Sequence, residues 1–152
     1  MKKHIVLALA ALAASGTVVS AIAATPAETV AARQANFKQL GRAMKAIGEE
    51  LKKPAPDLGV IRTSAQLLNQ AAGHVGHGFP RGSGPESGVK TEALAAIWQR
   101  PADFQGAARN LVVKARDLQT AAGSGDLNRI RTAFPAVGGA CKGCHDNFRE
   151  RH

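Results

Sequence analysis

Apolar residues recurring in alternate steps of three and four run through most of this chain, and that spacing belongs to helices that each bury one narrow face. Val30, Phe37, Leu40, Met44, Ile47 and Leu51 form one stripe over about 27–52. Leu58, Ile61, Ala65, Leu68 and Ala72 form a second over about 57–72. Phe104, Ala108, Leu111, Ala115 and Leu118 form a third over about 101–122. The fourth begins at Asp126, a suitable N-cap, and continues through Leu127, Ile130, Phe134, Val137, Cys141, Cys144 and Phe148. Thr25-Pro26 marks the first start, Pro54 and Pro56 the first stop, Pro101 fits a first helical position, and Gly123-Ser124-Gly125 closes the third helix. Little of the chain reads as strand. Four such helices with two short connections specify an all-α chain, an antiparallel up-down-up-down four-helix bundle. Two features strain this reading. Residues 73–90 form a Gly-rich linker longer than compact domains usually carry. Pro135 lies inside the fourth helix, where it removes a hydrogen bond and should bend or interrupt it near 133–135.

The first two dozen residues stand apart. Met1-Lys2-Lys3-His4 is a basic start, 5–14 is almost unbroken apolar sequence, and Ala21-Ile22-Ala23-Ala24 is an A-x-A-like cleavage signal. Residues 1–24 are therefore expected to be a cleaved secretory signal peptide, with 25–152 as one domain. An uncleaved anchor is the competing reading, but an apolar core of about ten residues falls short of the ~20 that a spanning helix needs. No membrane insertion is expected after signal removal. The full chain carries a formal charge of +9; losing Lys2 and Lys3 leaves 18 basic against 11 acidic side chains, a formal +7. Such a surface attracts acidic proteins, anionic membranes or nucleic acid. Export argues against nucleic acid, and the charges are scattered, as on an ordinary solvated surface.

The only two cysteines are three residues apart. A disulfide framework in an exported protein ties distant segments together, which this pair cannot do. Cys141-Lys142-Gly143-Cys144-His145 is C-x-x-C-H, the attachment signature of c-type haem. Residues three apart share one side of a helix, so both sulfurs reach two vinyl groups along one porphyrin edge, and the next residue places its imidazole under the iron. Three other readings stand beside this one. A thioredoxin-like redox pair would open a helix after a strand. A zinc site would recruit His74 or His77 as a further ligand. The motif could also be a coincidence. Export, the single cysteine pair and its place on the apolar stripe favour haem. An Ala- and Leu-rich core, with aromatic residues only 4% of the chain, leaves room for a large flat cofactor.

The chain resembles the cytochrome c′ family, the class II c-type cytochromes, over essentially all of residues 25–152. The residues that carry the resemblance are Arg33-Gln34, Phe79-Pro80 in the glycine-rich linker, and Ile97-Trp98 followed by Phe104. Toward the C-terminus they are Gly125-Asp126-Leu127, Val137-Gly138, Cys141-Lys142-Gly143-Cys144-His145-Asp146 and Phe148-Arg149. Cytochromes c′ are themselves standard up-down-up-down bundles, so the family implies the architecture already read from the pattern. It further implies one covalent haem c per chain near the C-terminal helix, with Cys141 and Cys144 as thioether residues and His145 as axial ligand of the iron.

In an antiparallel bundle the end of helix four lies beside the start of helix one, which puts His145 across from about 33–37. Arg33 sits on the apolar stripe, and a charge facing a core needs a partner. A haem propionate would supply it, as the resemblance also implies; the competing reading is a stem packed inside with its head in solvent. Phe37 is expected in the distal pocket. The resemblance implies that this position is apolar in five-coordinate members and methionine in low-spin ones, so phenylalanine predicts five-coordinate, high-spin iron. Packing of Phe37 away from haem is the alternative. Met44 lies seven residues further, about 10 Å along a helix at ~1.5 Å per residue, and reads as core filler. His74 and His77 read as exposed linker histidines. The second functional reading is a low-spin electron carrier with Met44 or a histidine as sixth ligand. Arg149, one turn after His145, is implied by the resemblance to lie on the proximal side, with ordinary solvation as the alternative. Lys142 and Asp146 should face water, and Trp98 and Phe104 should pack the core.

No nucleophile, carboxylates and histidines converge, so the chain does not read as an enzyme. The leading expectation is a soluble periplasmic haem protein that transfers one electron with periplasmic redox partner proteins and binds small gas ligands, nitric oxide or carbon monoxide. The resemblance also implies a homodimer through helices one and two; the sequence contributes apolar surplus such as Val60 and Leu67.

Overall fold

A computed structural model describes residues 24–151. The signal-peptide reading of 1–24 therefore falls, apart from Ala24, outside the described residues. Helix α1 spans Pro26–Glu50, α2 Leu58–Val75, α3 Ala96–Gln99, α4 Pro101–Ser124 and α5 Leu127–Phe148, with a single 3₁₀ turn at Pro85–Ser87. There is no strand among the described residues beyond one isolated bridge between Ala93 and Arg149. The four long helices form the expected antiparallel bundle, and the short α3 leans on α4 and α5. No helix among the described residues is long and apolar enough to cross a membrane.

Each long helix begins where local chemistry can satisfy its free N–H groups. The Thr25 hydroxyl accepts from the Glu28 N–H while the Glu28 carboxylate accepts from the Thr25 N–H, a capping box with Pro26 as first helical residue. Asp57 caps α2 through the N–H groups of Gly59 and Val60, and Asp126 caps α5 through those of Asn128 and Arg129. Helix α4 opens on Pro101 and ends at Gly125, whose φ of 72° is a left-handed conformation suited to glycine. The α1–α2 corner is fixed by Glu50, which is buried and accepts from Lys53 Nζ and the Asp57 N–H. The Lys53 hydrogen bond, and then the Asp57 N–H, hold this carboxyl below its ordinary pKa.

The core is built from the anticipated stripes. Ile47, Ile61, Ala65, Leu68, Ala72, Ala115, Leu118, Ala122, Ile130 and Val137 have essentially no solvent exposure. Many are alanines, which let helix axes approach closely. The close pairs are α1 with α2, α2 with α4, and α4 with α5. Among the described residues α1 and α5 do not make a comparable pair. They meet at one end, where a methyl group on Gly48 would come within 3.3 Å of the Phe134 ring. In antiparallel helices numbers fall along one as they rise along the other. Eleven residues from that contact, Phe37 of α1 is level with His145 of α5, and Gly41 is level with Cys141. A side chain added at Gly41 would meet nothing within 4 Å. The seam between α1 and α5 is thus shut at the Phe134 end and roomy at the cysteine end.

Four details differ from the sequence reading. Helix α2 runs to Val75, so His74 lies in its last turn and not in the linker; only His77 lies beyond it. The linker proper is interrupted by the 3₁₀ turn and ends in α3, too short to show a period in the sequence. Pro135 does not interrupt α5, which is helical throughout 127–148. It sits on the exposed side, as does Arg131, whose carbonyl loses the hydrogen bond and can turn to water, while Phe134 and Val137 pack inward on either side. Phe37 continues the α1 stripe but is 38% exposed, with its ring against that of Phe79.

Leu118 is fully buried at the centre of α4. Leu118→Ala should lower unfolding stability by about 2–5 kcal/mol, read from chemical denaturation, because the lost transfer energy is joined by the cost of a cavity that the surrounding helices close only in part.

Candidate functional site

Cys141 and Cys144 lie one turn apart on α5, both half-buried against the core cluster, and neither forms a disulfide. Burial raises the pKa of the Cys141 thiol. Burial, followed by the neighbouring Cys141, raises that of Cys144. A redox-active pair needs the opposite, a thiol acidified at a helix N-terminus, whereas these two occupy the last third of α5. A zinc site is not assembled either. Among the described residues no three His, Cys, Asp or Glu side chains converge on a point that could hold a metal ion, and His74 and His77 are exposed. Cys141, Cys144 and His145 instead follow one another along a single helix face.

His145 is accessible to solvent, yet its pKa is lowered, first by partial burial of the ring and then by the charge of Arg149, against the opposing pull of Asp146 and Glu92. The shift favours the neutral imidazole, the form that coordinates iron. The turn carrying His145 is fastened at its end. The Leu94 N–H donates to the Phe148 carbonyl, and the Glu150 N–H donates to the Glu92 carbonyl at 2.8 Å. Arg149 has left the helix (φ −123°, ψ 141°), and its Nε donates to Glu92 Oε2 at 2.7 Å. It stands beside His145 electrostatically, but as an ion pair with Glu92 and not as a free side chain one turn further along. Lys142 and Asp146 pair with each other on the exposed side.

Arg33 does not send its head into solvent: the residue is only 5% exposed. Nη1 donates to Ser83 Oγ at 3.0 Å and Nη2 to Thr91 Oγ1 at 2.7 Å. The guanidinium carbon lies 4.7 Å from the centre of the Phe79 ring and 5.9 Å from that of Trp98. Burial lowers its pKa, and the charge of Glu86 opposes this. Hydroxyls and aromatic faces supply the polar company that the stripe position demanded. Two of five guanidinium N–H groups are used in those bonds, so donors remain for a carboxylate.

Phe37 packs against Phe79 with ring centres 6.2 Å apart. Phe79 in turn stacks edgewise on Phe104 at 4.8 Å and on Trp98 at 6.0 Å, and Phe104 on Phe148 at 5.4 Å. Phe104 is buried in the core and Trp98 half-buried against it. Met44 is half-buried against the same core, two helical turns from Phe37. Sequence reasoning found the cysteines, His145, Arg33 and Phe37, but not Ser83, Thr91 or Glu92. Those contacts span 50, 58 and 57 residues and leave no periodic trace. Phe79-Pro80 carries part of the family resemblance in the sequence, with no role attached to it there.

These residues suit a haem group. Two thiols point to one side of α5, an imidazole follows them, and the facing stretch of α1 offers an apolar ring and a glycine with open space beside it. Comparison with known proteins agrees. A family model described as Cytochrome C′ matches residues 28–149. Cytochrome c′ of Rhodospirillum rubrum is 37% identical over 153 residues, covering 98% of this chain and 99% of its own. Two variants of cytochrome c prime from Alcaligenes xylosoxidans, one a nitric oxide complex and one with carbon monoxide bound, superpose with TM-scores of 0.75. Each is 27% identical and covers 84% of this chain and 98% of its own. A further cytochrome c′, described by its unusual ligand-controlled dimer dissociation, has a TM-score of 0.79 at 27% identity, covering 86% of this chain and 100% of its own. With the C-x-x-C-H motif in place and haem c as its cofactor, the chain belongs to the cytochrome c′ family.

Proposed function

We propose that this chain is a periplasmic protein that exchanges one electron and takes up small diatomic gases at a five-coordinate, high-spin haem. The observation that carries the reading is the Gly48–Phe134 contact between antiparallel α1 and α5, from which counting along both helices sets His145 level with Phe37, a residue with no lone pair to offer a metal. When bound, haem supplies a one-electron iron couple and a coordination position for gas ligands. The chain supplies the rest. Cys141 and Cys144 would hold the group by thioether bonds, and His145 would be the axial ligand, kept neutral by its surroundings. Arg33, already inside the fold, would direct its remaining donors to a propionate. Phe37 would line the distal pocket with hydrocarbon, disfavouring water and anions relative to uncharged gases. Arg149, held by Glu92, would set the charge on the proximal side.

The Alcaligenes xylosoxidans proteins solved with nitric oxide and carbon monoxide support gas binding in this fold. The alternative, a low-spin carrier ligated by Met44, requires that side chain to leave the core against which it packs. Reduced protein from the periplasmic fraction, its N-terminus mapped near residue 25, should change its Soret spectrum on addition of carbon monoxide. Met44→Leu should leave the ligand-free spectrum as it was. An unchanged spectrum with carbon monoxide, or loss of a six-coordinate signature in Met44→Leu, would overturn the open site.

Covalent attachment has its own readout. Haem should stay with the wild-type polypeptide on a denaturing gel and leave it when Cys141 and Cys144 are both replaced by alanine. Stain that persists in the double variant would remove these two residues from the assignment. Val60 and Leu67, seven residues apart on α2, are 39% and 41% exposed and are proposed to lie in a homodimer interface. The cytochrome c′ with ligand-controlled dimer dissociation supports dimer formation in this fold. Sedimentation should show wild-type dimers and Leu67→Glu monomers; an unchanged mass for Leu67→Glu would place the interface elsewhere.

A further inference from the structure

We infer that Phe79 is the positioning residue for Phe37, and that the loop carrying it thereby sets how readily a gas ligand passes the distal ring. The inference rests on the reading of Phe37 as the distal residue and adds what holds it in place. Phe37 projects from α1, and the structure gives its ring one aromatic neighbour. The aromatic ring packed against it is that of Phe79, at 6.2 Å with planes tilted by 60°.

Phe79 can serve as a stop because its other sides are occupied. Phe104, itself buried, meets it edgewise at 4.8 Å with an interplanar angle of 72°, and Trp98 meets it at 6.0 Å and 64°. The Arg33 guanidinium covers it at 4.7 Å. The backbone around it is tied as well. Ser83 Oγ donates to the Pro80 carbonyl at 2.8 Å while accepting from Arg33, and Trp98 Nε1 donates to the same carbonyl at 3.1 Å. Thr91, at the far end of the loop, accepts from the other arm of Arg33. One buried cation on α1 thus grips the loop at two points, Ser83 and Thr91, and caps the ring that leans on Phe37, one helical turn further along α1. A ring braced in this way has few positions to visit. Removing the brace lets the Phe37 side chain rotate aside and expose the coordination position behind it.

The test is a mutant cycle on carbon monoxide association, followed by flash photolysis of the reduced haem protein. Phe79→Leu keeps a large apolar side chain for folding but removes the flat edge that contacts Phe37. It should speed association by about fivefold, the order set by loss of one aromatic pair. Phe37→Ala should speed it at least as much. Adding Phe79→Leu to Phe37→Ala should then change the rate little, because the brace has nothing left to hold. Equal acceleration by Phe79→Leu in both backgrounds would show that Phe79 acts independently, and no acceleration in the wild-type background would show that it does not act; either overturns the inference. A Phe79→Leu protein that melts at the wild-type temperature yet binds faster separates positioning from general loosening; should Phe79→Leu not fold, Phe79→Met takes its place in the cycle. Failure of the wild-type protein to bind carbon monoxide at all would be a failure of the proposed function and not of this inference alone.

Discussion

Three seams of the bundle are drawn tight by small side chains, and this leaves the fourth free to differ along its length. Ala43, Ala65, Ala72, Ala108, Ala115 and Ala122 let α1 to α2, α2 to α4, and α4 to α5 approach closely. The α1–α5 seam is set by one bulky contact, Phe134 against Gly48. From there the two helices carry glycine and half-buried thiols where a conventional bundle would place interlocking leucines. A porphyrin is wide, thin and mostly apolar, and a seam closed at one end and roomy at the other is the shape it requires. The covalent motif would have no purpose in a bundle packed equally tightly on all four sides.

Much of this was legible in the residues. The stripes, the start at Thr25-Pro26, the cap at Asp126 and the glycine stop at Gly125 are local signals, and each helix obeys them because spacing and capping act within a few residues. The haem motif is equally local. What escaped is long-range. That Arg33 would find two hydroxyls and two aromatic faces in a glycine-rich loop depends on chain closure, and no pattern within one helix announces it. The resemblance puts Arg149 on the proximal side of His145; its pairing with Glu92 depends on a segment 57 residues earlier, which no local pattern announces. At Pro135 the helix continues without interruption, with Phe134 and Val137 packed inward on either side of it.

The buried charge on α1 also explains why so long a connection is compatible with a compact domain. The residues between α2 and α3 contain one short 3₁₀ turn and would gain little order from their own backbone. Short side-chain turns within the loop are joined by hydrogen bonds from Arg33 and by aromatic packing of Phe79 with Trp98. A cation with several directional donors suits this task better than an apolar residue, because it fixes Ser83 and Thr91 at once and rewards only one arrangement.

The backbone pairing of 92–94 with the end of α5 has a mechanical consequence. The final turn of a helix ordinarily frays, since its last carbonyls lack partners. Here the Phe148 carbonyl accepts from Leu94, and the next residues continue into a short antiparallel clasp. His145 therefore stands on a stiff abutment, and any force transmitted through its imidazole is borne by the loop before α3 as well as by the helix.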